Sequence, residues 1–148
     1  MEPRVTRWIK DNAVYYTIRW TDFLHLEKHR VNTAVPSEAG VFELYYLDHT
    51  NTLHLLDRRA VYYGGLRHVL REIADPDARK AVVFFGQTEP NDRLYVRYSL
   101  SYSRSDMDDI LYFFSYGQMK NPEHHEGSGR FTHIYVKEIS PRSLYTLA

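Results

Sequence analysis

An α+β fold, with a small mixed or antiparallel β-sheet flanked by helices, follows from three features of the chain. Two strand-like runs, residues 41–47 and 53–63, flank the turn-forming cluster Asp48-His49-Thr50-Asn51-Thr52, the pattern of a β-hairpin. Leu66, Val69, Leu70 and Ile73 then recur at helical spacing just after Gly64-Gly65. Further strand-like and helical segments follow without a repeat or a dividing linker. One domain over residues 1–148 is therefore expected, with a core at about 31–126 and strand extensions at both ends.

The elements read in order as follows. Residues 13–20, Ala-Val-Tyr-Tyr-Thr-Ile-Arg-Trp, are rich in β-branched and aromatic types and read as an extra N-terminal strand at a sheet edge. Phe23–Leu26, the polar Glu27–Arg30 and Val31-Asn32-Thr33 connect it to a Pro36-Ser37-Glu38-Ala39-Gly40 turn. The hairpin strands start at Gly40, and the helix after Gly65 stops at Asp75-Pro76-Asp77. Ala81–Phe85 and Leu94–Tyr98 read as strands on either side of a turn at 88–92. Ser103 or Ser105 caps a helix that carries Met107, Ile110, Leu111 and Phe114 on one face and ends near Gly117. A polar loop at 118–130 precedes a last strand, Phe131–Ile139.

Composition narrows the functional classes. No cysteine is present, so disulfides, thiolate zinc sites and a cysteine nucleophile are excluded. Nineteen basic residues balance nineteen acidic ones, so any attraction to nucleic acid must come from a local patch. Thirteen Tyr and seven Phe supply large side chains suited to half-buried sheet surfaces. The start Met1-Glu2-Pro3-Arg4 lacks a signal-peptide core, and runs such as Val82-Val83-Phe84-Phe85 are too short for a bilayer. A soluble, cytoplasmic chain without a membrane partner is expected.

Two pieces carry a family likeness: Gly40-Val41-Phe42, which opens one hairpin strand, and Tyr62-Tyr63-Gly64, which closes the other before a helix. With the approach Val35-Pro36-Ser37-Glu38-Ala39, they resemble the GIY-YIG nuclease family, whose two tripeptides lie side by side on a small sheet. The resemblance runs in matching order over roughly residues 31–126. Arg71 looks like the family's catalytic arginine if one residue is deleted after Gly65, and Arg67 is the other candidate. Met107-Asp108-Asp109-Ile110-Leu111 is similar to the helix that carries the family's metal-binding glutamate, with Asp108 at that position. Asn121-Pro122-Glu123-His124-His125 resembles a loop ending in asparagine, with His125 in its place.

The resemblance implies metal-dependent hydrolysis of a DNA phosphodiester. Tyrosines such as Tyr62 and Tyr63 would assist the nucleophile, an arginine would hold developing charge, and one carboxylate would bind Mg²⁺ or Mn²⁺. Phe42 lacks the hydroxyl of the first motif's tyrosine, which Tyr45 or Tyr46 would have to replace, and Asp108 is one methylene shorter than glutamate. The expectation is thus a divergent GIY-YIG-like endonuclease; the alternative is a noncatalytic nucleic-acid-binding or protein-interaction module on the same fold. Plainer explanations stand beside each residue. Glycines start and end strands for conformational reasons, Arg71 can pair with Glu72 or Asp75 on the surface, and Asp106, Asp108 and Asp109 suit a helix N-terminus without any metal. Glu123–Glu126 offers imidazole and carboxylate ligands in poor preformed geometry, Ser128 lacks a nucleophile elbow, and alternating aromatics on strands commonly pack across strands.

Overall fold

The structure, a computed structural model, describes residues 2–75, 93–118 and 127–141. Its strands are β1 (Val5–Lys10), β2 (Ala13–Arg19), β3 (Leu24–His25), β4 (Gly40–Leu47), β5 (Leu53–Val61), β6 (Leu94–Leu100) and β7 (His133–Ile139). Its helices are α1 (Lys28–Ala34), α2 (Gly65–Ala74) and α3 (Arg104–Gln118). They form two sheets, β3-β6-β4-β5, which is antiparallel, and β1-β2-β7, in which β2 and β7 run parallel. The result is a small α+β structure with mixed and antiparallel sheets flanked by helices. No helix among the described residues is long and apolar enough to cross a membrane.

The expected hairpin forms, with Gly40 opposite Val61 and Leu47 opposite Leu53. Asp48 closes its turn by accepting bonds from the Thr50 and Thr52 amides at 2.8 and 3.0 Å, and Asn51 adopts a φ of 64°. The register shifts between Leu44 and Tyr45, where Leu56 is the extra residue on β5. The second strand ends at Val61, which leaves Tyr62 and Tyr63 beyond it rather than inside it.

β4 is buried on both faces because successive strand residues point to opposite sides. Phe42 and Leu44 join Leu66 and Leu70 of α2, Val31 of α1 and Val96 of β6 in one core. Val41 joins Met107, Ile110 and Phe114 of α3 and Val14, Tyr16 and Ile18 of β2 in a second core. Hence α2 and α3 lie on opposite faces of the four-stranded sheet. The side chain of Ser103 accepts the Asp106 amide at 3.1 Å, and so it, not Ser105, caps α3.

Three expectations are corrected. Residues 13–19 are the central strand of the three-stranded sheet, not an edge, because β1 and β7 pair on either side. Residues 28–34, read as a connection, form α1: the Glu27 side chain accepts the His29 and Arg30 amides, and Val31 anchors the helix in the first core. The N-terminal extension contains two strands, since Val5–Lys10 also pairs. The strand expected at 81–85, the turn at 88–92 and the loop around His125 lie outside the described residues.

Gly40 is where β4, β6 and α2 come closest. A methyl group there would lie 2.4 Å from the Ser99 carbonyl oxygen and 2.9 Å from Leu66 Cδ1, so only hydrogen fits without displacing backbone. Gly40→Ala should therefore destabilise the fold by about 1–3 kcal/mol, the usual cost of overpacking. Urea unfolding would measure it, and an unchanged midpoint would contradict this close approach.

Candidate functional site

The residues expected to form a catalytic site are distributed as follows. Gly64 and Gly65 have φ of 81° and 80°, and a Cβ on Gly65 would sit 2.8 Å from the Ser37 carbonyl carbon. These glycines let the start of α2 tuck beneath the Pro36–Glu38 turn, where the Leu66 and Arg67 amides bond to the Glu38 and Pro36 carbonyls. Arg67 Nε donates to the Val35 carbonyl at 2.7 Å and ties α2 to the end of α1. Arg71 is exposed on α2, and Glu72, one of its two suggested surface partners, lies 3.3 Å from His68. Tyr62 and Tyr63 are exposed and meet edge to face, with ring centroids 5.0 Å apart.

Phe42 is fully buried, with the Arg59 guanidinium 5.7 Å from its ring. Of its suggested substitutes, Tyr45 lies on the opposite face of β4, donating to Glu43 Oε1 at 2.7 Å, and the Tyr46 ring stacks loosely on His54. Burial, then the neighbouring Glu43 charge, pushes the Tyr45 hydroxyl pKa well above the ordinary tyrosine range. Asp108 sits on α3, across the sheet from α2, so packing separates it from Arg67 and Arg71 rather than gathering all three on one surface. His125 lies outside the described residues.

The other two carboxylates on the first turns of α3 are already engaged. Tyr16 Oη donates to Asp109 Oδ2 at 2.6 Å and lies 3.2 Å from Asp106 Oδ1. Arg130 reaches both carboxylates, at 2.9 and 3.0 Å, and Arg7 reaches Asp106 at 2.8 Å. The Ser128 amide donates to Asp109 Oδ1 at 2.7 Å. Burial pushes the Asp109 pKa up, but the bonds from Tyr16, Ser128 and Arg130 outweigh it and hold the carboxyl below its ordinary value. Burial, reinforced by the bond to Asp109, drives the Tyr16 hydroxyl pKa far upward. This network fastens α3 to β1, β2 and the segment before β7. It does not fit a resident divalent ion, because guanidinium groups hold the oxygens beside Asp108. Among the described residues no three His, Cys, Asp or Glu side chains gather as a metal-ligand set.

A second charged cluster sits inside the four-stranded sheet. Glu43 is fully buried and receives Arg58 at 2.6 Å, Arg97 at 2.7 Å and the Tyr45 hydroxyl. Arg97 also lies 4.6 Å from the Trp20 ring and bonds to Ser140 Oγ at 2.9 Å. Sequence reasoning passed over this cluster. Its signal was a lone carboxylate in an otherwise apolar strand, with arginines on the two strands that become its neighbours.

The three-stranded sheet presents a different surface. Its inner face carries Val14, Tyr16 and Ile18 into the second core, so the alternate residues of β2 point outward. By register, Trp8, Tyr15 and Tyr135 stand side by side across β1, β2 and β7. Trp8 and Tyr15 lie 5.2 Å apart, Tyr15 and Tyr135 stack at 5.0 Å, and His133 follows at 6.4 Å. These rings pack across strands, as alternating aromatics do, yet they remain 59%, 39% and 47% exposed for Trp8, Tyr15 and Tyr135. Lys10, Arg19 and Lys137 occupy further outward positions. The only carboxylate in the three strands, Glu138, faces the other way and accepts the Trp20 indole N–H at 2.8 Å.

A family model described as "Uncharacterised protein" matches residues 4–148. The chain belongs to that family. No curated protein and no solved structure matches it. The match takes in both charged networks and the aromatic face.

Two outcomes follow from the networks. Glu43→Gln, which leaves two guanidiniums sharing a buried neutral amide, should cost about 3 kcal/mol in urea unfolding; a loss below measurement error would mean that Arg58 and Arg97 find other partners. Because the Asp109 pKa is depressed in the folded state, its stabilisation is present above the ordinary carboxylate range and is lost as pH falls. Thermal unfolding from pH 7 downward should show stability dropping below about pH 4, with a shallower drop in Asp109→Asn. Identical acid limbs would remove Asp109 from the account.

Proposed function

We propose that the chain is a noncatalytic binding module that holds single-stranded nucleic acid against the outer face of β1-β2-β7. The observation that carries this reading is the row Trp8–Tyr15–Tyr135, solvent-exposed and accompanied by cations, with no outward carboxylate on its three strands and Asp11 at the β1–β2 turn beside it. Nucleobases stack on aromatic rings whatever their sequence, and each stack contributes about 1–3 kcal/mol when tested by alanine substitution. Lys10, Arg19 and Lys137 provide the local positive charge that the neutral chain lacks as a whole.

This is the noncatalytic alternative to the GIY-YIG-like nuclease, and two further points favour it. Arg67 is spent on holding α1, and Asp108 lies across the sheet from α2. A flat, open face also suits single strands, whose bases can splay onto it, better than duplex, whose bases are hidden.

The test is fluorescence anisotropy with labelled single-stranded DNA, single-stranded RNA and duplex, together with gel analysis of the same mixtures in Mg²⁺ and Mn²⁺. Single strands should bind in preference to duplex and remain intact. Trp8→Ala or Tyr135→Ala should weaken binding by about 5- to 150-fold. Three neutralised phosphates should give a slope of about −2 for log affinity against log salt. Metal-dependent cleavage would restore the nuclease reading, and equal affinity in the two alanine variants would remove the aromatic face from it.

A further inference from the structure

A cavity of about 660 Å³ opens beside the aromatic row, between α3 and the strand β7. Tyr112, Phe113 and Tyr116 line it from the helix, and Phe131, Ile134 and Tyr135 from the strand side. A shallower depression of about 450 Å³ lies over the β1–β2 turn, lined by Lys10 and Tyr15 among others. Thr132, His133 and Tyr135 border both hollows, so Tyr135 is at once the last ring of the row and a wall of the deeper cavity.

We propose that this cavity is a nucleobase pocket, which takes one unstacked base of the strand that lies on Trp8, Tyr15 and Tyr135. The proposal rests on the single-strand reading above and deepens it. The walls suit the faces of a planar, weakly polar ring system: Tyr112 and Tyr116 stack on each other with centroids 5.8 Å apart, and Tyr116 is 73% exposed. The described lining is mostly aromatic and aliphatic, and Lys10, Arg19 and Lys137 stand outside it, where the phosphates would lie.

Polar recognition of the base edge comes from the strand itself. β7 is the last strand of its sheet, pairing only with β2 among the described residues, so alternate backbone N–H and C=O groups along its outer side have no strand partner. Ile134, Tyr135 and the neighbouring Thr132 line the cavity, which brings this edge to its border. A base held between aromatic walls and a backbone edge is read by hydrogen bonds at its rim, the means by which single-stranded sequence is discriminated. The row thus sets affinity and the cavity sets preference at one position. Gly127 lines the cavity, and a Cβ there would lie 3.3 Å from Asp109 Oδ1 and 3.4 Å from Ile134 Cδ1.

An abasic-site scan tests this. Single-stranded oligonucleotides, each lacking one base at a different position, are titrated against wild type, Tyr116→Ala and Trp8→Ala, with circular dichroism and thermal melts confirming that each variant is folded. In wild type, one position should lose about tenfold in affinity beyond its neighbours. That singular penalty should vanish in Tyr116→Ala and persist in Trp8→Ala, which weakens every oligonucleotide alike. Uniform penalties in wild type, or a singular penalty unchanged in Tyr116→Ala, overturn the pocket while leaving the single-strand reading intact. Failure of wild type to bind any oligonucleotide overturns both.

Discussion

A strand that is buried on both faces cannot slip. β4 presents Phe42 and Leu44 to one core and Val41 to the other, and between the apolar residues of the second face it carries Glu43. A buried carboxylate is tolerated only with opposite charge in contact. Arg58 and Arg97 supply it from the positions directly across β5 and β6. A shift of β6 by one residue would turn Arg97 toward Phe42 and Leu44 and set Val96 or Tyr98 across from Glu43. The Glu43–Arg97 pair therefore sets the register of β4 against β6, while apolar packing places α1 and α2 on one side of the sheet and α3 on the other. Arg97 extends the constraint to the second sheet through its contacts with Trp20 and Glu138.

The second network does for α3 what the first does for β4. Asp106 and Asp109 face inward at the start of the helix and meet Tyr16, Arg7 and Arg130. Polar groups on the inner face of β1-β2-β7 are thus satisfied within the protein. The outer face keeps its rings and cations for something else. That division leaves Lys10, Arg19 and Lys137 outward on the strands, with Asp11 the carboxylate at the adjoining β1–β2 turn.

Much of the fold was legible because its signals were local. The hairpin announces itself through apolar runs around Asp48–Thr52, and α2 through Leu66 and Leu70 after two glycines that need positive φ. What was illegible depended on distant partners. β1 sets Val5 and Ile9 on the inner side but turns Arg7 inward and Trp8 outward between them, which breaks the hydrophobic alternation at its centre, and Asp106, far along the chain, makes the Arg7 orientation favourable. α1 is only about two turns long, too short to stand alone, and is stabilised by the Glu27 cap and the burial of Val31. β2 looked like an edge because its two neighbours were the unrecognised β1 and a strand from the other end of the chain. At the site, the expected residues were found by their order along the sequence, and order does not reveal which face of a sheet a helix will cover. The aromatic row was invisible for the same reason: its three rings are adjacent only after β1, β2 and β7 have found one another.

The parallel pairing of Ala13 with His133 through Arg19 with Ile139 has a temporal consequence. During synthesis β2 emerges early and β7 late, and closing so long a loop is slow compared with forming the local hairpin β4–β5. Until β7 arrives, β2 exposes one unpaired edge, and the nascent chain carries Trp8 and Tyr15 without Tyr135. The four-stranded sheet can assemble from residues 24–100 before that event. The surface that faces solvent in the finished molecule is then the last part to exist, so a ribosome-bound chain would be folded at its centre while still unable to engage whatever that surface holds.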